Sequence, residues 1–144
     1  MGSYILAIFT AITFQITNST LNIEQAFLQN NPKILHSLFS SDSQINISLP
    51  EPLSFSDQIS DQQAFFLFKK IFSSYPAIEF YSVGPPLFFK RESCIYKARW
   101  SFKNKRNNNQ YGFHIFFYLI YKNETEDPDT EDAWKIIEIK AEKI

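Results

Sequence analysis

The sequence predicts an α+β domain: a curved antiparallel sheet of about five strands wrapped on N-terminal helices, cone-shaped in outline. Three observations carry that expectation. Two aromatic runs, Cys94–Phe102 and Tyr111–Tyr121, flank a basic, asparagine-rich linker and read as antiparallel strands joined by a long hairpin loop. Helical periodicities precede them and strand signals follow, and helices first with an antiparallel sheet after is an α+β pattern. Aromatic residues make up 17% of the 144, with 16 Phe and 7 Tyr, which suits a sheet whose faces are packed or line a cavity.

Taken in order, the chain opens on Tyr4–Phe14, apolar apart from two threonines and too short to span a bilayer, which takes about 20 residues. Its length matches the apolar core of a secretory signal peptide, and Ala11-Ile12-Thr13 resembles a small-x-small cleavage site, although no basic residue precedes the run. Residues 1–17 are therefore expected to be a signal peptide and 18–144 a single domain, placing the mature chain in the periplasm or outside the cell. If the run is not a signal, it packs on the domain and the protein is cytoplasmic. Asn18, Ser19 and Thr20 offer N-cap oxygens to a helix carrying Leu21, Ile23, Phe27 and Leu28. Asn30-Asn31-Pro32 breaks it, and Pro32 suits the first position of a second helical piece with Ile34, Leu35, Leu38 and Phe39. Ile45, Ile47 and Leu49 alternate in a short strand that stops at Pro50 and Pro52. Ser60 and Gln63 form a capping box ahead of Ala64, Phe65, Leu67, Phe68, Ile71 and Phe72. Ile78 and Phe80 mark the next strand, stopped at Gly84-Pro85-Pro86. Within the hairpin, Cys94, Tyr96, Ala98, Trp100 and Phe102 fall on one face of the first strand. The second strand carries Tyr111, Phe113, Ile115, Phe117, Leu119 and Tyr121 on one face and Gly112, His114, Phe116, Tyr118 and Ile120 on the other, so both of its faces should be covered. An acidic turn, Asn123–Asp132, then leads to a last strand from Trp134 to about Ala141.

Composition excludes several functions. The formal charge is -1, with 14 basic against 15 acidic residues, so the broad basic surface of a nucleic-acid or acidic-membrane binder is missing. One cysteine, Cys94, permits neither an internal disulfide framework nor a Cys-rich zinc site, and its place in the strand pattern reads as a small buried hydrophobe. Two distant histidines and an acidic turn without EF-hand spacing give no metal-ligand pattern, and no cofactor motif is present. His36 reads as a surface residue. A sheet with helices on one face encloses an apolar interior where a small apolar ligand would sit.

The stretch IEQAFLQNNPKILHSLFSSDSQINISL resembles the start of nuclear-transport-factor-2-like domains, where a helix and a loop lead to a first strand. SDQQAFFLFKKIFSSYP resembles their second helical region, and HIFFYLIY followed by WKIIEI resembles their ending, in the manner of small secreted bacterial domains of unknown function. The resemblance covers roughly Leu21 to Ile139 and departs in the acidic insertion before Trp134. It implies the cone fold, and it implies that members with activity place an Asp or His, often with a Tyr, inside the cone as acid or base. The candidates here are His114 and Tyr118, four apart on one strand, with Phe116 between them and Tyr96 or Trp100 across the hairpin. Two functions remain: a secreted, non-catalytic binding or assembly module that dimerises through a sheet face, and a small-molecule enzyme or carrier using a His/Tyr pair in the cone.

Overall fold

The computed structural model of the chain describes residues 16–122 and 134–144, so the apolar run Tyr4–Phe14 and the acidic turn Asn123–Asp132 lie outside the described residues. Three helices come early. The first, α1, covers 16–28 and buries Ile16, Ile23, Ala26 and Phe27 along one stripe. Asn18, Ser19 and Thr20 are not its N-cap, contrary to the sequence expectation, because helix already encloses them. The Thr20 hydroxyl instead donates to the Thr17 carbonyl at 2.9 Å, the bond a mid-helix threonine makes back onto the preceding turn. Helix α2 (Pro32–Ser37) starts where expected: the Asn31 side chain accepts from the Lys33 N–H and Pro32 occupies the first turn. Helix α3 (Asp61–Ser74) has the full capping box, with Gln63 N–H donating to Ser60 Oγ at 3.1 Å and Ser60 N–H donating to Gln63 Oε1 at 2.9 Å. Its buried residues Ala64, Phe68, Ile71 and Phe72 form one apolar stripe.

The sheet has seven strands: β1 (Ile45–Leu49), β2 (Phe55–Ile59), β3 (Ala77–Ser82), β4 (Leu87–Lys90), β5 (Ser93–Lys103), β6 (Gln110–Tyr121) and β7 (Trp134–Lys143). Their order is β2-β1-β7-β6-β5-β3, with β4 lying beyond the end of β3 along the same edge of β5. This is the expected α+β class with two strands more than expected, β2 and β4. One pairing, β1 with β7, is parallel, so the sheet is mixed. The hairpin is the longest element: β5 and β6 pair without a break from Ser93 opposite Ile120 to Lys103 opposite Gln110. Its loop is made by asparagines. Asn104 N–H donates to the Asn109 carbonyl, Asn108 N–H donates to the Asn104 carbonyl, and Asn108 sits at φ 61, a left-handed conformation asparagine tolerates well.

The core lies between the helices and one face of β5, β6 and β7. Phe27 stands at its centre, with ring centroids 4.6 Å from Phe80, 5.0 Å from Trp100, 5.2 Å from Phe72, 5.7 Å from Phe117 and 5.9 Å from Phe68. Most of these pairs are edge-to-face, the arrangement aromatic quadrupoles favour. Asn30 ties this layer to the sheet: it turns left-handed between α1 and α2, and its side-chain oxygen accepts from the Ala77 N–H at 3.0 Å.

Candidate functional site

Alternation along β5 and β6 separates two chemically different faces. The inner face, toward the helices, carries Cys94, Tyr96, Ala98, Trp100 and Phe102 from β5 and Phe113, Ile115, Phe117 and Leu119 from β6, all of them buried. Trp100 is fully enclosed, as its place in the alternation predicts. The outer face carries Ile95, Lys97 and Arg99 from β5 and His114, Phe116, Tyr118 and Ile120 from β6, all partly exposed.

His114, Phe116 and Tyr118 therefore share a face, as their spacing predicts, but it is the face turned away from the helices. Tyr96 and Trp100, expected as their neighbours across the hairpin, point the other way: Tyr96 pairs with Phe117 and Trp100 with Phe113. Opposite His114 stand Arg99 on β5 and Glu142 on β7, and opposite Tyr118 stand Ile95 and Glu138. Even alternation made His114 and Tyr118 companions, and the same alternation puts Tyr96 and Trp100 on the opposite side of the pleat. The apolar face of β5 takes the helices, so the His/Tyr pair falls outside.

On the inner face of β5 and β6 the side chains that carry chemistry, among the described residues, are the Cys94 thiol and the Tyr96 hydroxyl. Tyr96 Oη is 2.8 Å from Ser82 Oγ, and burial raises the phenol above its ordinary pKa of 10.0, with the Ser82 bond opposing and the field of Glu24 adding. Held protonated, this phenol can share a hydrogen bond but cannot act as a base near neutral pH. Among the described residues the buried Trp100 and Trp134 indole N–H groups meet no acceptor, and they are walled by aromatic rings that include Phe27 and Phe88 respectively.

The outer face is organised in rows across the strands. Leu87 of β4, Ile95, Tyr118 and Glu138 form one row, and Lys97, Phe116 and Lys140 the next, with the Lys97 ammonium 5.5 Å from the Phe116 ring centroid. Arg99, His114 and Glu142 form the third. Viewed by columns, β5 is basic (Lys97, Arg99), β6 largely aromatic, and β7 mixed in charge (Lys135, Glu138, Lys140 and Glu142). At the edge, Leu87 is 68% exposed, a large aliphatic side chain left in water.

Solved structures share this architecture, three of them as follows. A DUF4783 family protein from Bacteroides fragilis is 18% identical with a TM-score of 0.62, covering 85% of this chain and 96% of its own. A ketosteroid isomerase-like protein from Erwinia carotovora atroseptica is 10% identical with a TM-score of 0.65, covering 90% and 93%. A nuclear transport factor 2-like superfamily protein from Salmonella enterica serovar Typhimurium is 12% identical with a TM-score of 0.67, covering 93% and 92%. The chain has the nuclear-transport-factor-2-like fold. No protein-family model and no curated protein matches it. Proteins of this fold include ones described as isomerase-like and ones described as of unknown function, so the fold alone does not choose between catalysis and binding.

Within this nuclear-transport-factor-2-like fold, three further clusters bear on function, and the sequence pointed to none of them as a group. Lys122 Nζ donates to Ser40 Oγ at 2.6 Å and pairs with Asp42, while Ser40 Oγ donates to Asp42 Oδ1 at 2.8 Å and accepts from Ser43 Oγ at 2.8 Å. A serine beside a lysine suggests a nucleophile and its base, but Asp42 pairs with this lysine and the fully buried Ser40 hydroxyl is already committed. The group is a tie between the end of β6 and the 40–43 turn. His36 is 41% exposed at its side chain, yet its Nε2 is shielded, lying 3.4 Å from Asp61 Oδ2 and beside the Phe65 ring. That contact joins α2 to the start of α3. Cys94 is buried and its thiol is pushed up to about 12 by burial alone, which keeps it a packing residue. Among the described residues, no group of three or more His, Cys, Asp or Glu stands together to hold a metal ion.

Proposed function

We infer that this chain is a non-catalytic binding or assembly module that pairs with a second copy of itself through the outer face of the sheet. The observation that carries the reading is the contrast between a helix side filled around Phe27 and an outer side where Leu87, Ile95, Phe116, Tyr118 and Ile120 meet water. A two-fold axis running along β6 brings the aromatic β6 columns of two copies together and sets Arg99 of one toward Glu142 of the other, with Lys97 toward Lys140 in the next row. Export forms part of the same reading, supported by the apolar run Tyr4–Phe14. Cleavage is expected at the end of residues 1–17, and mass spectrometry of the exported protein reads the new N-terminus directly. Solution mass across a dilution series tests the pairing: a dimer that dissociates on dilution is expected, and a monomer at every concentration overturns it.

A further inference from the structure

On the far side of β7 the outer face holds a feature that self-association does not explain. Where β2, β1 and β7 adjoin, an open cleft of about 270 Å³ is lined by Asn46, Ser48, Ser56, Gln58 and Glu138, with Asp57 also at its wall. The register explains why these side chains converge. Gln58, Asn46 and Glu138 lie in one row across the three strands, and Ser56 and Ser48 in the next. Ile47 and Ile139 also border the cleft, but they are core residues buried on the inner side, so their backbone forms the floor.

The lining selects a ligand by elimination. No lining side chain is cationic and two are carboxylates, with Lys140 beside Ser48 standing outside the lining, so the cleft itself disfavours an anion. No aliphatic or aromatic side chain faces the space, so an apolar ligand would give up nothing to water by staying out. Asp57 pairs with Ile47 and so alternates away from Ser56 and Gln58, which leaves Glu138 as the carboxylate that shares their side of the sheet, too few hard oxygens for a calcium or magnesium ion. What remains is two amides, two hydroxyls and one carboxylate, and the side-chain polar atoms of Asn46, Ser48, Ser56, Gln58 and Glu138 have no hydrogen-bond partner among the described residues. Amides and hydroxyls both donate and accept, and a carboxylate takes two parallel hydrogen bonds. A neutral molecule with hydroxyls on adjacent carbons matches that set: its pair of O–H groups donates to Glu138 while its oxygens accept from the Asn46 and Gln58 amides. Tyr118 is the next residue in the row beyond Glu138, placing an aromatic ring at the border for the C–H face of such a ring. The volume lies just under the about 300–1,000 Å³ of drug-sized sites, room for one six-membered ring.

We propose that the cleft between β2, β1 and β7 is a binding site for a single hexose ring, held through its vicinal hydroxyls by Glu138, Asn46 and Gln58. Glu138 and Tyr118 also lie on the face assigned to a second copy, so a bound sugar and that copy compete for them, and the titration reads the cleft on the monomer. The test is an NMR titration of isotope-labelled protein with glucose, galactose, mannose and N-acetylglucosamine, one at a time. At least one sugar is expected to give saturable shifts at the Asn46 and Gln58 side-chain amides and at Tyr118. Asn46→Ala and Gln58→Ala should each weaken that binding by about five- to tenfold, the worth of the lost hydrogen bonds. Both residues are exposed, so the variants should keep the parent spectrum elsewhere. The proposal is overturned if none of the four sugars gives a saturable shift, if the shifts survive both substitutions, or if spermidine reproduces them, which would make the cleft a site for amines.

Discussion

The two faces of the β5–β6 hairpin are made by the same strands, turn and register, and differ only in which residues alternate onto them. The inner face is saturated: Trp100, Phe102, Phe113 and Phe117 are each buried to within about a hundredth of full enclosure and touch one another and the helices. The outer face has aromatic residues too, Phe116 and Tyr118, but they share it with Lys97, Arg99 and His114 and remain partly wet. Aromatic content therefore does not mark the core. What marks it is the absence of charge along the whole stripe, because a charged group without a partner cannot follow its neighbours out of water. The inner stripe is where the sequence specifies the fold, and the outer stripe is where it has freedom to specify a partner.

The contrast can be broken most sharply from the inside. Trp100→Ala should destabilise the chain by about 3–5 kcal/mol, as expected for deleting a large aromatic from a closed core. Chemical denaturation reads this directly, and a loss under about 1 kcal/mol would mean that the inner face is not the packed one. The inner face should also limit stability in alkali. Cys94 has its thiol raised from 9.0 to about 12, so above pH 9 the unfolded chain releases a proton that the folded chain retains. Unfolding is then favoured as pH rises from 9 toward 12, with a slope approaching about 1.4 kcal/mol per pH unit from this group alone. Tyr96, also raised, adds to the loss above pH 10. Denaturation midpoints measured across that range should fall, and less steeply in Cys94→Ala.

Substitutions on the outer face should act on association instead. Ile95→Glu places a carboxylate beside Tyr118 in the apolar row and should weaken self-association at least tenfold, or about 1.4 kcal/mol, while leaving the monomer folded. Sedimentation together with circular dichroism separates the two effects, and a folded variant with unchanged mass would place the contact elsewhere. The smallest effect is expected from His114→Ala, within about 0.5 kcal/mol in stability, since its ring lies on the partly wet face. A larger loss would show that the Arg99-His114-Glu142 row contributes more than its exposure suggests.

Much of the inner face was legible from the residues because it rests on local patterns. The alternation of Cys94 through Phe102 fixed β5, the Ser60–Gln63 box fixed the start of α3, and Asn31-Pro32 fixed α2. Strands β2 and β4 were not legible, for opposite reasons. FSDQI has a polar middle, since β2 is an edge strand whose Ser56, Asp57 and Gln58 are exposed, and LFFK has no alternation at all. The N-terminal extent of α1 was hidden because Asn18, Ser19 and Thr20, good caps in isolation, are absorbed by a helix held down through Ile16. Which face of β6 carries its histidine away from the helices could not be read from β6 alone. Both of its sides are rich in apolar residues, and the choice is made by the charges on its neighbour β5. The cleft was invisible for a related reason: Asn46 and Gln58 meet through the antiparallel β1–β2 pairing, whose second strand was not legible, and Glu138 joins them only through a parallel pairing that no local pattern announces.

That parallel pairing also sets the order in which the molecule can be completed. Strand β7 lies between β1 and β6, and Ile136 reaches back further, exchanging backbone hydrogen bonds with Leu38 and Ser40 just after α2. Before residues 134–143 emerge from the ribosome, the β1–β2 hairpin and the β3–β6 sheet have no strand to join them. The middle of the sheet is thus the last part of it to be made, and the two halves wait on a single C-terminal strand that closes contacts of long sequence separation. A chain with this wiring stays open until β7 is made, and a truncation that removes β7 would leave two fragments of sheet with their inner faces bare.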